Sequence, residues 1–221
     1  MTADFGVIFD MDGVLIDSYH PHFVSWQETA AQYGLQLTEE QFRETFGQTS
    51  GSIIRQQWGD GCLSEEEMSD FDRIKEGRYR ELVESDLPLM TGGAELVEAL
   101  AAEEIPVAIG SSGPPENVRL VVEKLGGDRV FRAFVTGKDV RRGKPDPQVF
   151  LMAAQKLGLE PARCVVIEDA PVGIEAATRA GMKSVGLQSP APRARNLGAA
   201  DLVVDSLQEL SPGRLRQILD L

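Results

Sequence analysis

Six short apolar runs punctuate this chain, at residues 5–9, 105–109, 130–135, 164–167, 184–187 and 202–204. They are nearly continuous in Val, Ile and Phe. Strands covered on both faces in a parallel sheet show this pattern, whereas half-exposed strands alternate apolar with polar. Between the runs the apolar positions recur at helical spacing. Helices are predicted over 93–103, 114–125, 147–157 and 171–180, the last two opened by proline and followed by Gly158 and Gly181. Strands alternating with helices of this length predict an α/β fold with a doubly wound parallel sheet.

One stretch breaks the alternation. From about residue 17 to 87 there are helical patterns and no convincing strand. A helix is expected over 21–33, closed by Gly34. Thr38-Glu39-Glu40-Gln41 has capping-box spacing, and so does Ser64-Glu65-Glu66-Glu67, which leads into a long charged helix ending near residue 85. Helices that merely cover one sheet face are the alternative, but some 70 residues exceed that need. The expectation is a core of residues 1–16 and 89–221 carrying a helical cap, residues 17–88, as a lid over the crest of the sheet. The Pro-rich piece at 189–195 reads as a loop, and there are no internal repeats.

Charge narrows the possible partners. The 221 residues hold 22 Lys and Arg against 35 Asp and Glu, a formal balance of −13. Such a surface repels phosphate backbones, so neither a nucleic acid nor an anionic membrane is an expected partner. No apolar run approaches the roughly 20 residues that span a bilayer, and the start has no basic-then-apolar signal pattern. Cys62 and Cys164 form no CxxC or metal spacing. A cytoplasmic, reducing home is expected.

The candidate chemistry begins where the first run ends, at Asp10-Met11-Asp12-Gly13. Ligands of open parallel sheets bind outside the carboxyl ends of the strands. Two carboxylates two residues apart there can share one site, with Gly13 permitting the sharp turn. Crowded carboxylates repel each other, which makes sense if a cation joins them, and hard oxygen donors favour Mg2+. An Asp-rich surface turn is the plainer alternative. An EF-hand loop fails, because Leu15 and Pro21 stand where Gly and Glu are required. A Walker loop fails at the Gly137–Gly143 spacing and at Pro145 after Lys144. Gly110-Ser111-Ser112-Gly113 is no nucleophile elbow, and the two histidines, His20 and His22, fall in the helical stretch. Polar groups also recur at later strand ends. Ser111 follows the second run, Lys144 sits in a Pro-stiffened loop before a helix, and Glu168-Asp169 ends the fourth run and enters another helix. Singly these are a turn serine, a solvated lysine and an acidic helix start. As an ordered set they suggest one rim.

Asp10-Met11-Asp12-Gly13-Val14-Leu15, then Ser111, then Lys144, then Glu168-Asp169 resembles the four motifs of the haloacid dehalogenase superfamily. The helical insert is similar to that superfamily's cap between the first and second motifs. The nearest subgroup is the phosphatases and phosphomutases related to β-phosphoglucomutase, and Asp12 disfavours the dehalogenases themselves. The resemblance implies a Rossmann-like core with a helical cap, and an aspartyl-phosphate on the nucleophile Asp10. It further implies that Asp12 is general acid then base, and that Ser111 and Lys144 grip the phosphoryl oxygens, with Gly13 and Ser112 beside them. Mg2+ would be held by Asp10, the backbone carbonyl of Asp12, and Asp169, with Glu168 close by. The stretch after the first motif, with His22 and Trp26, and the segment Lys75-Glu76-Gly77-Arg78-Tyr79 resemble cap segments of β-phosphoglucomutase, which makes His22 and Lys75 candidate substrate contacts. Arg141 and Arg142 could attract an anion or form a solvated pair.

Two departures bear on the reaction. After Phe46-Gly47 a mutase is expected to carry an arginine for the distal phosphate, where this chain has Gln48-Thr49-Ser50-Gly51; and Pro114-Pro115 follows the Ser111 segment. A phosphatase holds one phosphate and tolerates both. The expected function is thus a Mg2+-dependent phosphatase for a small phosphorylated metabolite, a sugar phosphate or similar, as a monomer or small homo-oligomer. The alternative is β-phosphoglucomutase or a related sugar phosphomutase. A receiver-like binding module is the remote alternative, since receivers lack a helical insert after the first strand.

Overall fold

The computed structural model describes residues 4–46, 49–188 and 195–221. In chain order, β1 (Gly6–Phe9) leads into α1 (Tyr19–Gln32), α2 (Glu39–Thr45), α3 (Ser50–Trp58) and α4 (Glu65–Ser85). Then come α5 (Gly93–Ala102), β2 (Val107–Gly110), α6 (Pro115–Lys124), β3 (Phe131–Val135) and α7 (Gln148–Leu157). The chain finishes with β4 (Cys164–Glu168), α8 (Pro171–Arg179), β5 (Lys183–Leu187), β6 (Leu202–Val204) and α9 (Pro212–Ile218). Two compact units result, Met1–Asp17 with Leu89–Leu221, and Ser18–Pro88.

The six strands form one parallel sheet in the order β3-β2-β1-β4-β5-β6, a Rossmann-like doubly wound arrangement. All six apolar runs are strands, within two residues at each end. Their continuity has the expected cause: β1, β2 and β4 are buried at every position because helices lie on both faces. Ile8, Ala108 and Val166 pack into a cluster with Val149, Phe150 and Ala153 of α7 and Ala176 and Ala177 of α8. Burying a side chain as large as Phe150 contributes roughly 1.5–3 kcal/mol. Strand order reverses between β1 and β4, and that switch point is where such sheets bind ligands.

The helical unit has a core of its own. Trp26 and Ala30 of α1, Phe42 of α2, Ile53 and Ile54 of α3 and Phe71 of α4 form one buried cluster. Trp26 and Phe71 meet at a ring-centroid distance of 5.1 Å. Both capping boxes read from the sequence are present, Thr38 with Gln41 and Ser64 with Glu67. α1 begins two residues before its expected start, with Pro21 in its first turn, where no backbone N–H is needed. α3 and α9 had no predicted counterpart. Thr49 caps α3 by accepting from the Ser52 N–H at 3.3 Å, and Ser211 caps α9 with Pro212 at its first position. Gly47, Gln48 and residues 189–194 of the expected Pro-rich loop lie outside the described residues. Among the described residues no helix is long and apolar enough to cross a membrane.

Candidate active site

Asp10 is the first residue past β1, and its N–H donates to the Ile167 carbonyl of β4 at 2.9 Å. The chain then coils back, with the Met11 carbonyl accepting from Leu15 N–H at 2.9 Å and the Gly13 N–H donating to Ile16 at 2.8 Å. Gly13 has φ +81°, and any Cβ there would strike the Asp169 carboxylate. Glycine is thus required twice over, by the turn and by a carboxylate packed against it.

Lys144 ties the two strand ends together. Its Nζ donates to Asp10 Oδ1 at 2.7 Å and to Glu168 Oε1 at 2.8 Å, and lies 4.9 Å from the centroid of the Phe150 ring. The three side chains are 7%, 10% and 2% exposed for Lys144, Asp10 and Glu168. The other Glu168 oxygen, Oε2, accepts from the Ala170 N–H at 2.6 Å, so the start of α8 fixes the carboxylate from behind. A Cβ on Gly173 of α8 would coincide with that carboxylate, so glycine leaves the room it occupies.

Asp10, Glu168 and Asp169 each place a carboxylate oxygen within 4.8 Å of the others, all three buried. One ammonium faces three carboxylates, and burial together with the surplus negative charge is visible in the acidities of Asp10 and Asp169. Burial drives the Asp10 carboxyl well above the usual range; Lys144 opposes this, while Glu168 and Asp169 add to it. Asp169 is pushed up to about 7, by burial first and then by Glu168, with Arg195 and Lys144 opposing and Asp12 adding. Burial alone would lower Lys144, but Asp10 and Glu168 together carry it above its ordinary value, so the ammonium keeps its proton. A cluster of hard oxygen donors with unbalanced negative charge fits a divalent cation such as Mg2+. It is the one such group found among the described residues.

Ser111 follows β2, buried, with its N–H donating to the Val135 carbonyl at 3.0 Å. Its Oγ accepts from the Gly113 N–H at 2.9 Å. A Cβ on Gly113 would stand 3.2 Å from Ser111 Oγ and 3.7 Å from Asp12 Oδ2, so the hydroxyl and the second carboxylate flank the same glycine. Ser112 is exposed. Arg141 and Arg142 are exposed too, and Arg142 pairs with Asp146 at 3.0 Å. His22 and Lys75 belong to the helical unit: His22 stacks on Tyr79 at 3.9 Å, and Lys75 pairs with Glu76 at 2.5 Å and lies 5.7 Å from the Trp26 ring centroid. Both cysteines are free, and burial pushes the Cys164 thiol up to about 12, which leaves it inert at neutral pH.

Sequence reasoning missed three contributors. Arg195 acts on Asp169 from beyond β5 with no motif to mark it. Gly173 resembles any helical glycine, and Gln148, whose Oε1 accepts from the Arg141 and Arg142 N–H groups of the loop that carries Lys144, resembles any polar residue opening a helix. Only proximity in three dimensions singles them out.

Fold and side chains together define an α/β enzyme whose site is made of carboxylates and one lysine at the switch point of a parallel sheet. The chain belongs to the haloacid dehalogenase-like hydrolases, whose family model matches residues 7–187. It is 33% identical over 207 residues to hexitol phosphatase A of Escherichia coli, covering 93% of each chain. It is 32% identical over 211 residues to β-phosphoglucomutase of Bacillus subtilis, covering 93% of this chain and 91% of that one. A crystal structure of β-phosphoglucomutase from Clostridium difficile superimposes with a TM-score of 0.85 at 27% identity, over 99% of this chain and 97% of the other. The protein is thus an enzyme of the β-phosphoglucomutase-like branch, a hydrolase or a mutase.

Proposed function

We propose that the protein is a Mg2+-dependent phosphatase that releases phosphate from a small phosphorylated metabolite, a sugar phosphate or similar, by way of a phosphorylated Asp10. The observation that carries this reading is the Lys144 ammonium held between Asp10 and Glu168, 2.7 and 2.8 Å away, among three converging carboxylates. In the first step an Asp10 carboxylate oxygen bonds to phosphorus as the bond to the substrate oxygen breaks. Asp12 gives that oxygen its proton. In the second step Asp12 takes a proton from a water molecule whose oxygen attacks the same phosphorus, freeing phosphate and restoring Asp10. Lys144 neutralises the phosphoryl oxygens, and Ser111, whose Oγ already accepts from Gly113, turns its O–H toward them. A divalent cation would be held by Asp10, Asp169, the backbone carbonyl of Asp12 and nearby Glu168, and would supply the charge that lets an anionic phosphate approach a carboxylate. Substrate choice is assigned to the helical unit, with His22 and Lys75 as its candidate contacts.

Two features of the helical unit support hydrolysis over mutase chemistry. Thr49 caps α3 and Ser50 donates to Asp72 at 2.5 Å; both are uncharged hydroxyls already engaged, and neither supplies a cation for a second phosphate. Arg55, one to two turns further on, pairs with Glu65 at 3.6 Å. The test is phosphate release from an aryl phosphate and from a panel of sugar phosphates, with β-glucose 1-phosphate followed for both free phosphate and isomerisation. Magnesium-dependent release, lost in Asp10→Asn, is expected. Conversion to glucose 6-phosphate with little free phosphate overturns the phosphatase reading, and no turnover of any compound overturns the enzyme chemistry assigned here.

A further inference from the structure

The loop between β3 and α7 carries Lys144, and side chains outside the four motifs brace it. At its start, Asp139 Oδ2 accepts from both the N–H and the hydroxyl of Thr136 at 2.7 Å. At its end, Gln148 Oε1 accepts from the Arg141 N–H at 2.8 Å and the Arg142 N–H at 3.3 Å. Asp146 Oδ1 accepts from the backbone N–H of Gln148 at 3.0 Å, and the Asp146 N–H donates to the Gly143 carbonyl at 3.0 Å. Arg179 adds a longer bond to the Pro145 carbonyl, 3.4 Å.

Gln148 is the first residue of α7, and α7 is anchored two residues later by Phe150, fully buried beneath the Lys144 ammonium. A rigid helix therefore holds, through one amide oxygen, the two peptide groups that come just before Gly143 and Lys144. We propose that Gln148 is a positioning residue for Lys144, setting where its ammonium sits between Asp10 and Glu168. The inference rests on Lys144 gripping the phosphoryl group as proposed above. Energetics separate this role from a merely structural one. Arg141 and Arg142 are exposed, so water replaces the lost acceptor and global stability changes little. Placement is less forgiving, since a shift of about 1 Å in a reacting group can cost on the order of a hundredfold in rate.

Gln148→Ala and Gln148→Glu, made in the full chain, test it. The glutamate keeps an acceptor oxygen at the same reach; the alanine removes it and suits a helix start. Three quantities are read: kcat/KM on an aryl phosphate, the melting temperature, and the rate of amine acylation at each lysine by mass spectrometry. The expected result for Gln148→Ala is a kcat/KM about tenfold lower with a nearly unchanged melting temperature. Acylation at Lys144 should be several times faster, with none at Lys75, the buried lysine of the other unit. Gln148→Glu should restore both rates. Wild-type labelling and kinetics in Gln148→Ala, failure of the glutamate to rescue, or a parallel rise at Lys75 would each overturn the proposal. Should the wild-type protein release no phosphate, the function proposed above fails, and the acylation rates still decide the brace.

Discussion

Replacing a helical glycine by alanine ordinarily stabilises a protein by roughly 0.5–1 kcal/mol. At Gly173, in the first turn of α8, the sign should reverse. The new methyl would coincide with the end of the Glu168 carboxylate and stand 2.6 Å from its Cγ. Glu168 has nowhere to go: it is 1% exposed, with one oxygen held by Lys144 and the other by the Ala170 N–H. Breaking one charge-assisted hydrogen bond there costs about 1.5–3 kcal/mol, and overpacking adds about 1–3 kcal/mol. Less the helix gain, Gly173→Ala should lose about 1.5–5.5 kcal/mol, a fall of roughly 3–22 °C in melting temperature for a chain of this size. Because Lys144 loses one of its two anchors, activity on an aryl phosphate should drop by about tenfold or more. Gly77→Ala in α4 is the matched control, since the nearest atom to its Cβ would be Arg80 Nη2 at 4.0 Å. That variant should gain the ordinary ~0.5–1 kcal/mol. Denaturant melts of both, with activity measured alongside, make the comparison. A Gly173→Ala protein as stable as Gly77→Ala would refute the reasoning, because it would mean that Glu168 can move without cost.

Charge at the site leads to two further expectations. Lys144→Met leaves two buried carboxylates without their shared ammonium and should cost about 3–5 kcal/mol in a denaturant melt, with activity lost; wild-type stability would contradict the ion-pair geometry. Asp169→Asn removes one of three crowded carboxylates, so the metal-free protein should melt higher than wild type while the rise in melting temperature on adding Mg2+ disappears. A variant that still responds to Mg2+ like wild type would count against Asp169 as a ligand. At the start of the loop that carries Lys144, the Thr136 hydroxyl and amide hold the Asp139 carboxyl below its usual value. Its contribution should be complete above about pH 4 and fade as pH falls further toward the folded value. Asp139→Asn should flatten that part of the stability–pH curve by less than about 1 kcal/mol, the group being exposed. An unchanged acid limb would show that the bonds do not form in solution.

Much of the architecture was legible because its causes are local. Continuous Val, Ile and Phe runs announce strands covered on both faces, and Thr38-Gln41 and Ser64-Glu67 satisfy orphaned amides within a single turn, so both could be read from neighbours a few residues apart. The order of Asp10, Ser111, Lys144 and Glu168-Asp169 at successive strand ends was legible for the same reason. Where reading slipped, as at the start of α1 or in missing α3 and α9, a short cap or a proline in the first turn left too little periodic sequence to register.

What no local pattern contains is distance through space. That Lys144 lies between Asp10, 134 residues away, and Glu168, 24 away, follows from β1 and β4 being neighbours. Pairing between strands far apart in the chain depends on the whole packed sheet and not on either strand alone. The same holds for Gly173, whose missing methyl makes room for Glu168, for Gln148, whose amide reaches back to Arg141 and Arg142, and for Arg195 acting on Asp169. Residue types and their order along the rim belong to the sequence. Which of them touch, and therefore which acidities shift and which substitutions are costly, was settled only when burial closed the sheet around them.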